Sequence, residues 1–106
     1  MVERGEVWLV ALDPTVGSEI QKTRPCVVVS PPEMNEYLRT VIVAPMTTGS
    51  RSAPFRIQLT FARKRGLILL DQIRTVDKER LVRKVGAISD SALASTLSTL
   101  QEIFVD

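Results

Sequence analysis

The chain contains no histidine. Ser-His-Asp and Cys-His nucleophile systems are therefore excluded, and so is a pair of imidazoles for general acid and base work. One cysteine and no histidine are too few ligands for a thiolate and imidazole zinc site, so no metal and no cofactor is expected. A single cysteine cannot form an internal disulfide, and the expected setting is a reducing cytoplasm. No apolar run approaches the ~20 residues that span a bilayer. Glu3, Arg4 and Glu6 stand where a secretory leader would need apolar residues. Residues 89–106 contain no base at all.

What is present fits one domain, residues 1–106. A chain of this size buries roughly 60–70% of its unfolded surface, enough for a core without staples. The 44% apolar and 25% charged composition is that of a globular protein. The net charge of +2 conceals an uneven distribution. Residues 1–88 carry all 14 Lys and Arg against nine acids, a net of +5; residues 89–106 carry Asp90, Glu102 and Asp106, a net of −3. Ten of the 14 bases are Arg, the side chain that pairs bidentately with phosphate. Such a distribution suits either a solvated mixed surface or a basic groove for nucleic acid.

Short apolar runs rich in β-branched residues recur between turn signals. Strands are predicted at residues 7–12, 26–30, 40–44, 55–59, 67–73 and 85–88. In 55–59, Phe55, Ile57 and Leu59 should face inward, with Arg56 and Gln58 outward. Short helices are predicted at 32–38, with proline at the start, and at 77–83, with Asp77 as cap. The clearest helix follows Ser89 or Asp90. Leu93, Leu97, Leu100 and Ile103 or Phe104 share one face, and Ser91, Ser95, Thr96, Ser98 and Thr99 the other. Few helices and many short strands predict a mainly β fold, a small barrel of bent antiparallel strands with a C-terminal helix.

The stretch from Glu6 to Pro31 carries the densest chemistry. An apolar run breaks at Asp13-Pro14, a polar loop TVGSEIQKT follows, and Arg24-Pro25 leads back into CVVVS. The loop gathers Ser18, Glu19, Gln21, Lys22, Thr23 and Arg24 between two apolar strands, a setting for an anionic substrate. Arg24 precedes a proline, which forces an extended backbone before the strand. Read alone, Arg24 is a surface arginine paired with Glu19, and Thr47 and Thr48 are turn residues. Asp71 in an apolar run needs a partner, such as Arg74 or a backbone amide. Cys26 reads as a small buried hydrophobe and Trp8 as core. Phe55 serves equally as core or as a stacking surface for a base.

Four blocks in order, RGEVWLVALDPTVGSE, KTRPCVVVSP, TVIVAPMTT and LLDQIRTVDKERL, resemble the MazF/PemK-type endoribonuclease toxins of bacterial toxin–antitoxin modules. The resemblance covers nearly the whole chain. It implies an SH3-like barrel of the class that includes the gyrase-poisoning CcdB toxins. It implies a homodimer and metal-independent cleavage of single-stranded mRNA at short specific sequences. It also implies a cognate antitoxin whose acidic tail lies over the RNA groove, with any contact to DNA running through that antitoxin.

On this resemblance, Arg24 takes the catalytic position and Thr47 matches a threonine that bonds the scissile phosphate. Glu19 either orients Arg24 or accepts the 2′-OH proton. Ser18, Gln21, Lys22, Thr48, Arg51, Phe55, Arg56, Asp71 and Gln72 are candidate RNA contacts. Some plasmid-borne relatives carry an arginine two residues before the aspartate; here that position is Leu69. An acid–base pairing of such an arginine with Asp71 therefore does not carry over. Two other functions compete on the same barrel: a non-catalytic toxin that binds a protein such as gyrase, and a small RNA-binding module without catalysis.

Overall fold

β-Branched runs favour pleated backbone, and seven of them do so in the computed structural model, which describes residues 1–106. The strands are β1 (Glu6–Ala11), β2 (Thr23–Val28), β3 (Thr40–Thr47), β4 (Arg56–Phe61), β5 (Lys64–Leu69), β6 (Arg74–Asp77) and β7 (Leu81–Ala87). The helices are α1 (Pro32–Tyr37) and α2 (Asp90–Ile103). The strands are ordered β4-β5-β3-β2-β1-β7, every pair antiparallel, with β6 also on β3. The result is the mainly β architecture expected, a curled antiparallel half-barrel with a C-terminal helix. Neither helix is long and apolar enough to cross a membrane.

β3 joins the two parts of the sheet. Thr40–Val43 pair with β6, and Met46 and Thr47 pair with β5. The handover falls at Ala44-Pro45, where the proline lacks an N–H that would need a partner. On the other edge, residues 43–45 pair with β2 throughout. Thr47 is thereby delivered to the end of a strand held on both sides.

Neighbouring residues of β2 enter opposite cores. Val27 joins Val7, Ala44 and Ile68 in one cluster. Cys26 and Val28 join Val10, Leu12 and Val43 in the other. A sheet buried on both faces explains continuous apolar runs where a half-exposed one would alternate. Burial pushes the Cys26 thiol up to about 12, with the nearby Arg74 charge opposing, so it behaves as the buried hydrophobe expected. Glu6 is also buried. Burial raises its pKa, but hydrogen bonds from Lys84, the Glu3 amide and Trp8 outweigh that and hold it below its ordinary value. Trp8 packs beside the second cluster, as expected.

Several predicted elements differ. The run 67–73 is not one strand: β5 ends at Leu69, a 3-10 turn covers Leu70–Gln72, and β6 begins at Arg74. Asp77 does cap, its carboxylate accepting from the Glu79 amide at 2.8 Å, but only a 3-10 turn follows. The rest of 77–83 is the start of β7, whose outward residues Val82, Arg83 and Lys84 hide the strand signal. Phe55 lies before β4 and is exposed, while Ile57, Leu59 and Phe61 are the residues packed on the core. Ser89 caps α2 through the Ala92 amide, at 3.2 Å. Ala92, Leu93 and Leu100 pack inward. Thr96, expected outside, is completely buried between them because its hydroxyl donates to the Ala92 carbonyl at 2.8 Å. Ile103 and Phe104 lie outside the packed face and are exposed.

The β4–β5 hairpin turns on Ala62 and Arg63, at φ of 51° and 66°. Positive φ at both central residues is the type I′ turn, which favours Asn-Gly. Replacing Ala62 by Asn together with Arg63 by Gly should stabilise the protein by about 1 kcal/mol. That corresponds to a rise in Tm of roughly 4–8 °C for a domain of this size. A thermal melt showing no rise would contradict this account of the turn.

Candidate active site

Arg24 lies in β2, opposite Val10 of β1, and is half-buried. Its Nε donates to the Gln21 carbonyl at 3.2 Å, and its two Nη groups have no protein partner. That single bond leaves its fork open. Thr47 ends β3, and its Oγ1 accepts from the Gly49 amide at 3.3 Å, so its hydroxyl proton remains free to donate. Arg24 and Thr47 line one cavity of about 410 Å³ with Ser18, Thr48, Leu69 and Gln72. The cavity brings together Ser18, Arg24, Thr47, Thr48 and Gln72, five of the residues singled out in the sequence.

Three further cavities adjoin this one, the first of them, of about 520 Å³, through Thr48 and Ser50. Ser18 and Gln72 continue into a cavity of about 390 Å³ that also contains Glu19, Asp71 and Arg74. Arg24, Thr47 and Thr48 continue into one of about 570 Å³, with an apolar floor including Leu9, Pro25 and Phe61 and with Lys64 and Arg83 as further cations. Joined by these shared residues, the Arg24–Thr47 cavity and the latter two form one groove with Arg24 and Thr47 in its middle. The helix expected over 77–83 hides Arg83, which the structure places in β7. Taken as a strand, β7 pairs Arg83 with Leu9, beside Arg24.

Glu19 is not beside Arg24. The chain's two ion pairs are Arg56–Asp71 and Lys84–Glu6, so the expected Arg24–Glu19 pair is not formed. One Glu19 oxygen accepts from the Val16 amide at 2.5 Å, an internal brace of the loop. Asp71 likewise pairs with Arg56, in place of the expected Arg74. Arg56 Nε and Nη2 reach the two Asp71 oxygens at 3.0 and 2.9 Å. This bidentate contact raises Arg56 and lowers Asp71 from their ordinary values, the hydrogen bond being the larger cause for each. Arg74 donates to the Leu12 carbonyl, and Arg80 to those of Ala11 and Asp13, so both anchor the start of the loop.

The remaining candidates are peripheral. Gln21 and Lys22 are exposed. The carbonyl of Lys22, at φ 69°, accepts from Leu12 and closes the loop. Gly17, at φ 59°, holds the special backbone angle expected of it. Arg51 is exposed, and Phe55 lies 5.9 Å from the Arg56 guanidinium carbon, within cation–π reach. None of these four side chains lines the groove described above.

Comparison with known proteins identifies the family. Residues 3–104 match the family described as PemK-like, MazF-like toxin of type II toxin-antitoxin system. Endoribonuclease PemK of Escherichia coli is 38% identical over 108 residues, covering 96% of this chain and 81% of that protein. The structure of MazF from Deinococcus radiodurans superimposes with a TM-score of 0.85 at 23% identity, covering 96% of this chain and 94% of that one. An endoribonuclease from a mycobacterial species, solved in complex with its cognate antitoxin, gives a TM-score of 0.81 at 20% identity, with 96% and 93% covered. The chain belongs to the family of PemK-like, MazF-like toxins of type II toxin–antitoxin systems.

Proposed function

We propose that this endoribonuclease toxin cleaves single-stranded mRNA at short specific sequences, without a metal, by using the RNA's own 2′-OH. The 2′-oxygen attacks the adjacent phosphorus and loses its proton. The bond from phosphorus to the 5′-oxygen breaks, and that oxygen gains a proton. The products are a 2′,3′-cyclic phosphate and a 5′-OH. The observation that carries this reading is the open fork of Arg24 in the same cavity as the free hydroxyl of Thr47. A guanidinium can bridge two phosphate oxygens as negative charge builds, and Thr47 supplies one more donor to the same group. Arginine's high pKa makes it a stabiliser of charge and a poor proton donor. Glu19, braced on the Val16 amide one cavity away, supports the loop and keeps one carboxylate oxygen free.

The groove's cations, Arg24, Lys64 and Arg83 together with the Leu12-bound Arg74, suit the phosphates of an extended RNA and equally the acidic tail of a cognate antitoxin. A homodimer is part of the same reading, since Val82, Ile103 and Phe104 leave apolar surface to cover. Sedimentation as a monomer at micromolar concentration would contradict the dimer.

The test is direct. Pure protein is incubated with a long single-stranded RNA in EDTA, and the product ends are analysed. Cleavage with cyclic phosphate ends is expected. Intact RNA, or products lacking those ends, would overturn the mechanism.

A further inference from the structure

Two loops flank Arg24 and Thr47, and each is tied to the same short turn. The first loop, residues 13–22, is largely exposed and mostly bonded to itself. Apart from the Thr15 hydroxyl's bond to the Asp13 carboxylate within the loop, a single hydrogen bond joins residues 14–20 to the rest of the chain: the Ile20 amide donates to Gln72 Oε1 at 2.7 Å. The second loop, residues 48–55, is also largely exposed. Arg56 holds it, its Nη1 donating to the Arg51 carbonyl at 3.0 Å while Nε and Nη2 grip Asp71. All three nitrogens of this guanidinium are thus occupied within the protein. Asp71 and Gln72 are adjacent residues of the 3-10 turn Leu70–Gln72, which is anchored by the fully packed Leu69 and Leu70.

We infer that this turn sets the separation of the two loops across the groove, and that Arg56, Asp71 and Gln72 are positioning residues that determine which RNA sequences are cut. The inference rests on the endoribonuclease reading and deepens it. With three of its five N–H groups committed within the protein and its charge paired by Asp71, this guanidinium has less left to offer a phosphate than Arg24 has. Held as a strut, it does something else: it fixes backbone whose exposed groups face the substrate. Loop position matters because base readout in RNA depends on splayed bases meeting groups at fixed places. A displacement of about 1 Å can cost 10²-fold in rate. Gln58 Nε2 donates to Ser52 Oγ at 3.1 Å and gives the second loop a further tie, so its release by loss of Arg56 is partial.

The experiment uses the full chain and the variants Arg56→Ala, Arg56→Lys, Asp71→Ala, the Arg56→Ala/Asp71→Ala double variant and Gln72→Ala. Three quantities are read: kcat and KM on a short RNA with one cut site, the map of cut sites on a long RNA, and the salt dependence of KM. Arg56→Ala and Asp71→Ala should each lower kcat/KM by about tenfold, and the double variant should be no worse than either, as expected for one shared interaction. Arg56→Lys should resemble Arg56→Ala, because an ammonium cannot bridge Asp71 and the Arg51 carbonyl in the same geometry. The cut-site map should broaden, and the salt slope should not change. If Arg56→Ala flattens the salt slope by about the contribution of one phosphate contact while Asp71→Ala is silent, Arg56 is a phosphate ligand and the inference is wrong. It is equally wrong if the map is unchanged and activity falls only with Tm. Amide hydrogen exchange gives an arm independent of activity. Exchange should quicken at Ile20 in Gln72→Ala and across residues 48–55 in Arg56→Ala; unchanged protection would overturn the inference. A wild-type protein that cuts no RNA fails the endoribonuclease reading instead, and the exchange arm still decides whether the turn holds the loops.

Discussion

Replacing Arg24 by alanine should lower the rate of RNA cleavage by about 10²–10³-fold or more, the usual loss when one donor to a developing oxyanion is removed. The effect should fall on kcat, since charge on the phosphate oxygens is greatest in the transition state. Folding should hardly change. The side chain makes one hydrogen bond, to the Gln21 carbonyl, and belongs to neither apolar cluster; such sites usually shift stability by less than about 0.5 kcal/mol. Arg24→Lys should recover only part of the loss, since an ammonium is a point charge without the planar fork. Single-turnover kinetics on a defined RNA, beside a thermal melt, checks both halves. Growth arrest in cells adds a separate readout. Toxicity that survives Arg24→Ala would favour a toxin that acts by binding a protein, the alternative that the fold alone leaves open.

Gly66→Ala should be the next most damaging change, although Gly66 bears no side chain. A Cβ built there lies 2.9 Å from the Thr47 carbonyl oxygen, which is backbone and cannot swing away. Residues 46 and 47 pair with residues 68 and 67 of β5, so the clash acts on the strand end that presents Thr47. Relief requires that end to move by some tenths of an ångström. The expected result is a fall in kcat of about tenfold, and up to ~10²-fold if the shift approaches 1 Å. KM should change much less, because Arg24 and the cations Lys64 and Arg83 stay in place. Activity within twofold of wild type would show that Thr47 does not need its present position. This variant and Arg24→Ala test the same cavity through two different residues, Thr47 and Arg24.

Much of the fold was legible in the residues. β-Branched runs and their proline boundaries located β1, β2 and β3, and the polar interruption between β1 and β2 located the loop that leads to Arg24. Continuous apolar character correctly signalled burial, but it could not say where a run bends: Leu67 to Ile73 reads as one strand and contains a strand, a turn and the approach to another. The charged stretch from Asp77 to Arg83 imitates a capped helix, because one face of β7 is solvated and the strand's alternation is blurred by Val82. Arg24 and Thr47 could be singled out because each stands beside a local signal, a following proline and the end of an apolar run. Their meeting in one cavity could not be read without the resemblance. The pairings of Asp71 with Arg56 and of Gln72 with Ile20 span 15 and 52 residues and leave no local pattern. Charge alone suggested the wrong partner, Arg74, which turns instead to the Leu12 carbonyl.

The bond from the Ile20 amide to Gln72 has one more consequence. An N–H can be answered only by the carboxamide oxygen, so the orientation of the Gln72 amide is settled by its neighbour. The NH₂ group makes no bond within the protein, so both of its donors stay open on a residue that lines the cavity shared with Arg24 and Thr47, while the oxygen has already spent one of its two lone pairs. The side chain therefore leans towards partners that offer a lone pair. A glutamine that is symmetric in principle, able to answer donors and acceptors alike, has been biased by its neighbour.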